Sequence, residues 1–338
     1  MPLYAGIDLH SNNSVLVVLD EQDRMVYKKR LANDLNLILQ ELLPYREELR
    51  GAVVESTYNW YWLVDGLMEA GYTVHLANTA ASHQYEGLKH ADDNSDARWL
   101  AHMLRLGILK EGYIYPKEER PIRDLLRKRS QLVGQKTAQM LSIENLYARN
   151  TGTQIKSNQV RKMTEIDVDQ EVPDIHLNMA IKGNLAVFKC LQEQVDKIEK
   201  EVLKYIRADA SFVNLKTTPG IGDILAMTIR LEVGDIKRFA DVGNFASYSR
   251  CVGSIHTSNG KKKGEGNRKN GNKYLAWAFM EAANFAVRFD EQIRRYYQRK
   301  KARTNGIVAI KTIAHKIARA CYYILRDDVP FDVSKAFG

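Results

Sequence analysis

Asp8 lies inside the apolar run Ala5-Gly6-Ile7-Asp8-Leu9, whose pattern reads as a buried strand. A carboxylate in such a place is costly unless it is paired or bound to a metal ion. Glu55 repeats the arrangement at the end of Ala52-Val53-Val54. Asp93 and Asp96 follow in Asp92-Asp93-Asn94-Ser95-Asp96-Ala97 and, at i and i+3, share one helix face. Asp92 and Asp96, at i and i+4, share one equally well, so spacing alone leaves the register open. Carboxylates that converge suit two-metal phosphoryl transfer, in which oxygen ligands hold ions roughly 3.5–4 Å apart. Asp8, Glu55, Asp93 and Asp96 are therefore candidate ligands for Mg²⁺, with Mn²⁺ an acceptable substitute.

The surrounding pattern supplies strands for these residues. Strands are expected over 4–9, Val15–Leu19 and Met25–Lys29, with Glu21-Gln22-Asp23 as a turn. Asn33 or Asp34 is suited to cap a helix that Pro44 stops. A buried strand over Gly51–Glu55, a helix over Tyr58–Ala70, a strand over Tyr72–Ala77 and a helix over Asp93–Leu106 follow. Three hairpin-connected strands and then alternating elements give an α/β domain of the ribonuclease H type.

Two long amphipathic helices come next, over about 121–150 and 178–207. The first carries Leu125, Leu132, Val133, Met140, Ile143 and Tyr147. The second has a seam of Ile181, Leu185, Phe188, Val195, Ile198, Val202 and Tyr205 at spacings near 3.5, interrupted by Gln192. With the polar stretch Thr151–Asp174 between them, they suggest a helical hairpin or coiled-coil arm that either mediates assembly or packs inside one subunit, and the regular seam slightly favours assembly.

Beyond Ala208 a mainly α domain is expected. Pro219-Gly220-Ile221-Gly222 before an apolar helix is a helix-hairpin-helix-like signature, and backbone N–H groups around Gly220 and Gly222 can meet a phosphate without reading sequence. A Gly- and Lys-rich loop over Ser258–Asn272 follows, then helices over Tyr274–Arg288 and Ile307–Arg326. The boundaries read as 1–112, 113–207 and 208–338.

Charge is concentrated in this last part. The whole chain carries +9, whereas residues 250–320 hold 17 Lys+Arg against 4 Asp+Glu. A basic surface interleaved with aromatic residues fits a nucleic acid partner. Within the loop, Lys261, Lys262, Lys263, Arg268, Lys269 and, just beyond, Lys273 are candidate phosphate contacts. Ser258 lies among them as a candidate nucleophile, with cations to stabilise a pentavalent phosphate. The residues themselves do not choose between Ser258, Ser254 and a loop that only binds. No apolar run approaches the ~18 residues of a membrane span. Three scattered cysteines without ligand spacing, and no secretory pattern at the start, point to a reducing cytosol.

These elements together resemble the DEDD transposases of the insertion-sequence-110 family, relatives of the Piv pilin-gene invertases. The likeness rests on Gly6-Ile7-Asp8-Leu9-His10, Val54-Glu55 and Asp93-x-x-Asp96-Ala97. In the second half it rests on Pro219-Gly220-Ile221-Gly222, Phe245-Ala246-Ser247-Tyr248, Ser258-x-Gly260-Lys261 and Asn270-Gly271-Asn272-Lys273-Tyr274-Leu275. Two departures stand out: Ser11 where a Lys is common, and Asn259 within the usual Ser-Gly-Gly-Lys. The resemblance settles the register on Asp93. It implies a RuvC-like domain, a Mg²⁺ site at Asp8, Glu55, Asp93 and Asp96, and a transient phosphoserine at Ser258. It further implies double-stranded DNA as substrate, a structured non-coding guide RNA, dimers and tetramers, and a nucleoid-associated place in the cytoplasm. A Piv-type invertase would differ only in DNA context. Two other classes compete. An actin-like ATPase shares the opening Gly-Ile-Asp but needs glycines after it, where Leu9-His10-Ser11-Asn12-Asn13 has none. A non-catalytic nucleic-acid-binding protein would use only the basic half.

Overall fold

The computed structural model describes residues 1–78, 93–253, 255–265 and 270–338, without the side chains of 93–95, 255, 256, 262, 264 and 265. The chain divides into two compact units, Met1–Lys117 and Glu118–Gly338.

The first unit is built on a mixed sheet. Strands β1 (Leu3–Leu9), β2 (Asn13–Asp20) and β3 (Met25–Ala32) are antiparallel neighbours, and β4 (Leu49–Glu55) and β5 (Val74–Ala77) continue the sheet in parallel from β1. The order is β3-β2-β1-β4-β5. Alternation decides which face each residue serves. Ala5, Ile7, Leu16, Val18, Ala52 and Val54 are buried under helices α1 (Leu35–Leu42) and α2 (Tyr61–Glu69). Gly6, Asp8, Val15, Val17 and Val53 point the other way, and helix α3 (Asp93–Arg105) packs there through Ala97, Ala101, Leu100 and Met103. This mixed α/β architecture is consistent with the ribonuclease H-like expectation. Asp34 caps α1, accepting from Asn36 and Leu37 N–H groups; Asn33 has another task, described below.

Among its described residues, the second unit is helical apart from one hairpin. Helices α4 (Arg120–Thr151) and α7 (Ile175–Ile206) run antiparallel. Arg129 meets Glu199, Lys136 meets Gln192 at 2.6 Å, and Ser142 meets Asn184 at 3.0 Å. The seam of α7 is therefore covered from within the chain: Ile181, Leu185, Phe188, Val195 and Val202 are buried without a second subunit. This corrects the expectation that the seam serves assembly. The seam also ends on Ile206 rather than Tyr205, which is 54% exposed. The polar stretch between these helices is not a plain linker. It forms α5 (Ser157–Lys162) and α6 (Glu165–Glu171), whose Val160 and Val168 join Ile143, Tyr147 and Ile181 in a small core at the far end.

At the other end, Leu126, Val202 and Ile206 enter the main core of this unit. That core gathers α8 (Ala210–Lys216), α9 (Asp223–Val233), α10 (Val242–Tyr248), α11 (Lys273–Phe289), α12 (Glu291–Arg303), α13 (Gly306–Asp327) and α14 (Val333–Phe337). Strands β6 (Ile255–Ser258) and β7 (Lys261–Glu265) form a two-stranded hairpin between α10 and α11. No described helix is long and apolar enough to cross a membrane.

Candidate active site

The register of the first unit places Asp8 beside Glu55. Ile7 pairs with Val54 across the parallel strands, so the next residues on each strand lie side by side on the opposite face, about 4.8 Å apart in the sheet. Asp8 is 2% exposed and Glu55 half-buried. The Nε2 atom of His10 lies 3.3 Å from Asp8 Oδ2.

Helix α3 lies against this face through a contact only glycine permits. A Cβ on Gly6 would lie 2.0 Å from the Ala97 carbonyl oxygen and 2.8 Å from the Ala101 nitrogen. Asp96 directly precedes that carbonyl, and Asp93 is the first residue of α3. The side chain of Asp93 lies outside the described residues. Among the described residues, no three His, Cys, Asp or Glu side chains are gathered tightly enough to form a coordination shell. Asp8 and Glu55 are brought together and α3 lies over their face, but a closed shell is not formed by the described side chains alone. An all-oxygen set of this kind matches Mg²⁺ chemistry, and the burial of Asp8 within apolar neighbours matches a site whose charge a cation offsets.

Three groups whose part in this site sequence reasoning missed hold this arrangement. Asp23, at the β2–β3 turn with φ 64°, receives His102 at 2.6 Å and both Arg98 and Arg105 at 3.3 Å, all from α3. Burial opposes the Asp23 charge, yet the His102 hydrogen bond and the neighbouring cations hold its carboxyl below the usual range. Asn33 and Asn59 each donate to the His10 carbonyl at 3.0 Å, tying the loops after β3 and β4 to the one after β1. Arg98, His102 and Arg105 on α3, at i, i+4 and i+7 opposite a turn aspartate, were a readable signal; the contacts of the asparagines to His10 were not.

Ser258 lies in the second unit. The expected flexible Gly/Lys loop is, in its described part, the β6–β7 hairpin, and Ser258 is the last residue of β6, exposed and directly opposite Lys261. Asn259 and Gly260 form its two-residue turn with φ of 50° and 71°. That is the positive-φ pair of a type I′ turn, for which Asn-Gly is the strongest short sequence signal. Lys263 is exposed on β7, and Lys273 is exposed at the start of α11. Lys262 lies on β7 with its side chain outside the described residues, and Ser254, Arg268 and Lys269 lie wholly outside them.

Gly220 and Gly222 separate into different roles. Gly220 has φ 87°, and a Cβ there would lie 2.3 Å from the Ala282 carbonyl oxygen and 2.6 Å from the Ala286 nitrogen of α11. It is a packing glycine. Gly222 caps α9 and has open space beside it. The turn borders a cavity of about 680 Å³ that also involves Arg129, Lys216, Trp277 and Phe285. Helix α12, missed in the sequence, adds an exposed basic surface through Arg295, Lys301 and Arg303.

Comparison with known proteins follows the same division. A DEDD transposase model of the IS110 type matches residues 5–147. A second model, described as transposase IS116/IS110/IS902 family, matches residues 213–298. A probable family 20 transposase of Pseudomonas aeruginosa is 23% identical over 275 residues, covering 78% of this chain and 80% of that protein. The transposase for insertion sequence element IS1111A of Coxiella burnetii is 21% identical over 294 residues, 84% of this chain and 77% of its own. The transposase for IS1328 of Yersinia enterocolitica is 23% identical over 176 residues, about half of each chain. One family model takes in β1, β4 and α3 with their carboxylates, and the other takes in the serine hairpin, so the chain belongs to the IS110/IS116/IS902 family of insertion-sequence DEDD transposases, enzymes that recombine DNA.

Proposed function

We propose that this transposase cuts and rejoins double-stranded DNA through two chemical groups. Asp8, Glu55, Asp93 and Asp96 hold Mg²⁺, and Ser258 is the nucleophile. The observation that carries this reading is the buried Asp8 carboxylate beside Glu55 on the sheet face that α3 covers. When bound there, the metal supplies Lewis-acid stabilisation of a phosphate oxygen. Ser258 Oγ attacks phosphorus, an Oγ–P bond forms, and one P–O bond to a strand end breaks. The departing strand oxygen leaves as a hydroxyl, and the serine proton passes to solvent or a base. A hydroxyl of the strand to be joined then attacks the same phosphorus and releases Oγ, so no external energy source is required. Lys261, opposite Ser258, offsets charge on the phosphate but, as an ammonium, does not take the serine proton. A hydroxyl is a weak nucleophile at neutral pH without such help.

In this reading residues 1–112 serve as the RuvC-like domain, 113–207 as the arm and 208–338 as the domain of the serine. Gly222, Lys261, Lys262, Lys263, Arg268, Lys269 and Lys273 meet nucleic acid phosphates, joined by the basic face of α12. A structured non-coding RNA supplies target sequence by base pairing while protein contacts supply affinity. With the α7 seam closed in the chain, homo-oligomers form through other surfaces of the arm, where Ile175, Met179 and Val187 are exposed.

The test is an in-vitro reaction on element-end duplexes with the co-purified RNA, stopped in denaturant. Wild type should give a protein–DNA adduct only with Mg²⁺ or Mn²⁺. Ser258→Ala should bind nucleic acid without forming the adduct, and Asp8→Asn should fold and bind without recombining. An adduct that persists in Ser258→Ala, or full recombination in chelator, would overturn the corresponding assignment.

A further inference from the structure

The hairpin that bears Ser258 leaves the helical core at one narrow neck. Residues 248–250 and 270–272 form it. The Asn272 N–H donates to the Tyr248 carbonyl at 2.6 Å. Arg250, itself at φ 55°, donates from Nε to the Asn270 carbonyl at 2.8 Å and from Nη2 to the Gly271 carbonyl at 3.2 Å. Gly271, at φ 79°, lies so close that a Cβ would be 2.6 Å from the Tyr248 oxygen. The described hairpin, Ser258 included, is joined in sequence to the helical core on both sides through these residues.

The neck is in turn fixed to a buried charge. Asn272 is 6% exposed and uses both ends of its amide. Its Oδ1 accepts from the Tyr274 and Leu275 N–H groups as the cap of α11. Its Nδ2 donates to Glu232 Oε2 at 2.6 Å. Glu232 is 3% exposed on α9, and its carboxylate also accepts both prongs of Arg127, Nε at 2.6 Å and Nη2 at 2.7 Å. A carboxylate buried this deeply is tolerated only with its oxygens satisfied. Burial works against the Arg127 charge, but Glu232 outweighs it and raises the guanidinium pKa. Arg127 belongs to α4, and its guanidinium also lies 4.9 Å from the centre of the Tyr274 ring.

We infer that Glu232 and Asn272 are positioning residues for the serine hairpin, and that Arg127–Glu232–Asn272 ties its neck to the long helix α4. Neither residue touches the reacting atoms. Asn272 cannot turn without losing either the helix cap or the Glu232 bond, so the direction of the neck is fixed at two points. The Arg127 fork extends that constraint to the arm, so a bend in α4 reaches the hairpin through one buried carboxylate. The inference rests on Ser258 as the nucleophile for its catalytic consequence, but not for its structural one.

The test uses Asn272→Ser in the full chain with its nucleic acid. Serine retains an oxygen that can cap α11 and lacks the reach to Glu232. A spin label at Ser258→Cys, in a Cys190→Ser background, reports motion of the hairpin without requiring chemistry there. The label should become more mobile in Asn272→Ser. In the unlabelled protein carrying Ser258, adduct formation should fall by about tenfold or more, as misplacement on the order of 1 Å costs up to ~10²-fold. Binding to an element-end duplex should hold within a factor of about two, because the phosphate contacts that dominate affinity are kept. Arg127→Lys, which keeps charge and loses the fork, should give the same signs to a smaller extent, and it carries the test if Asn272→Ser loses its cooperative melt. An unchanged label spectrum in both variants overturns the inference. A more mobile label with wild-type adduct yield overturns its catalytic part. A more mobile label with no adduct at Ser258 even in wild type supports the relay and overturns the nucleophile instead.

Discussion

Replacing Gly6 with alanine perturbs the carboxylate site from a residue that has no side chain to contribute to it. The added Cβ meets only backbone: the Ala97 oxygen at 2.0 Å, the Ala101 nitrogen at 2.8 Å and the Ala97 carbon at 3.0 Å. No rotamer change relieves this. Ordinary contact between such atoms begins near 3.5 Å, so α3 must retreat by roughly 1 Å or more. The retreat pulls Ala97 and Ala101 from Val15, Val17 and Leu19, with which they are buried. It also strains the Asp23 clamp at the far end of the helix. Overpacking of this kind costs about 1–3 kcal/mol. At roughly 4 °C per kcal/mol for a unit near 100 residues, the melting temperature of the first unit should fall by about 4–12 °C. Asp96 moves with α3 while Asp8 and Glu55 stay in the sheet. A 1 Å misplacement lowers rates by about 10², so recombination should fall far more than stability at 25 °C would explain. Calorimetry and the duplex reaction, run on the same preparation, measure both. A Gly6→Ala protein with wild-type melting and wild-type rate would refute the close approach of α3 to β1.

Two further outcomes follow from local geometry. Gly134→Ala and Gly183→Ala fall in α4 and α7 with nothing within 4 Å; each should stabilise the second unit by about 0.5–1 kcal/mol through helix propensity, read as a rise in melting temperature, and a fall would show hidden packing. Burial, the hydrogen bond to Glu171 at 2.9 Å and that residue's charge push the Tyr147 hydroxyl up to about 12. Its folded value thus lies above the unfolded value near 10, so its stabilisation is complete below about pH 10 and lost as pH rises towards 12. Tyr147→Phe should remove that alkaline step from a phenolate difference titration, and coincident wild-type and variant profiles would count against it.

Strands were legible because apolar alternation and turn residues reinforce one another. That pattern put Asp8 and Glu55 each on a strand; their adjacency comes from the parallel pairing of β1 with β4. Other elements were hidden for identifiable reasons. Asn33 and Asp34 are equally good caps by type, and the choice is made by the His10 carbonyl, distant in sequence, which claims Asn33. Val202 is followed by apolar residues at both i+3 and i+4; the helix period buries Ile206 and leaves Tyr205 outside. Helices α5 and α6 are too short to be stable alone and depend on Val160 and Val168 packing against α4 and α7. Helix α12 buries only Ile293, so it has almost no apolar period to read. The Asn259-Gly260 turn was readable, but glycine and lysine content around it suggested flexibility instead. Whether a seam closes within a chain or between chains is not encoded in its periodicity, since both bury the same face.

Gly220 and Gly222 show how a binding motif and a packing motif can occupy the same four residues. Both were read as allowing backbone to approach a phosphate. At Gly220 that approach is already made, by α11, whose Ala282 and Ala286 leave no room for a Cβ. Its φ of 87° adds a conformational cost for any L side chain of about 1–2 kcal/mol. Gly220→Ala should therefore destabilise the second unit by several kcal/mol, through combined overpacking and strain, and lose every activity together. Gly222 has φ −90°, which alanine adopts freely, and open space where its Cβ would go. Gly222→Ala should cost at most about 1 kcal/mol as a poorer cap. If the α9 N-terminus receives a phosphate, however, the new methyl group stands where the backbone would be approached. Affinity for duplex should then fall while melting hardly changes, and the slope of log affinity against log salt should become shallower by about one lost phosphate contact. Equal affinity and equal slope for Gly222→Ala and wild type would assign the whole turn to packing and leave the basic hairpin and α12 to hold the nucleic acid.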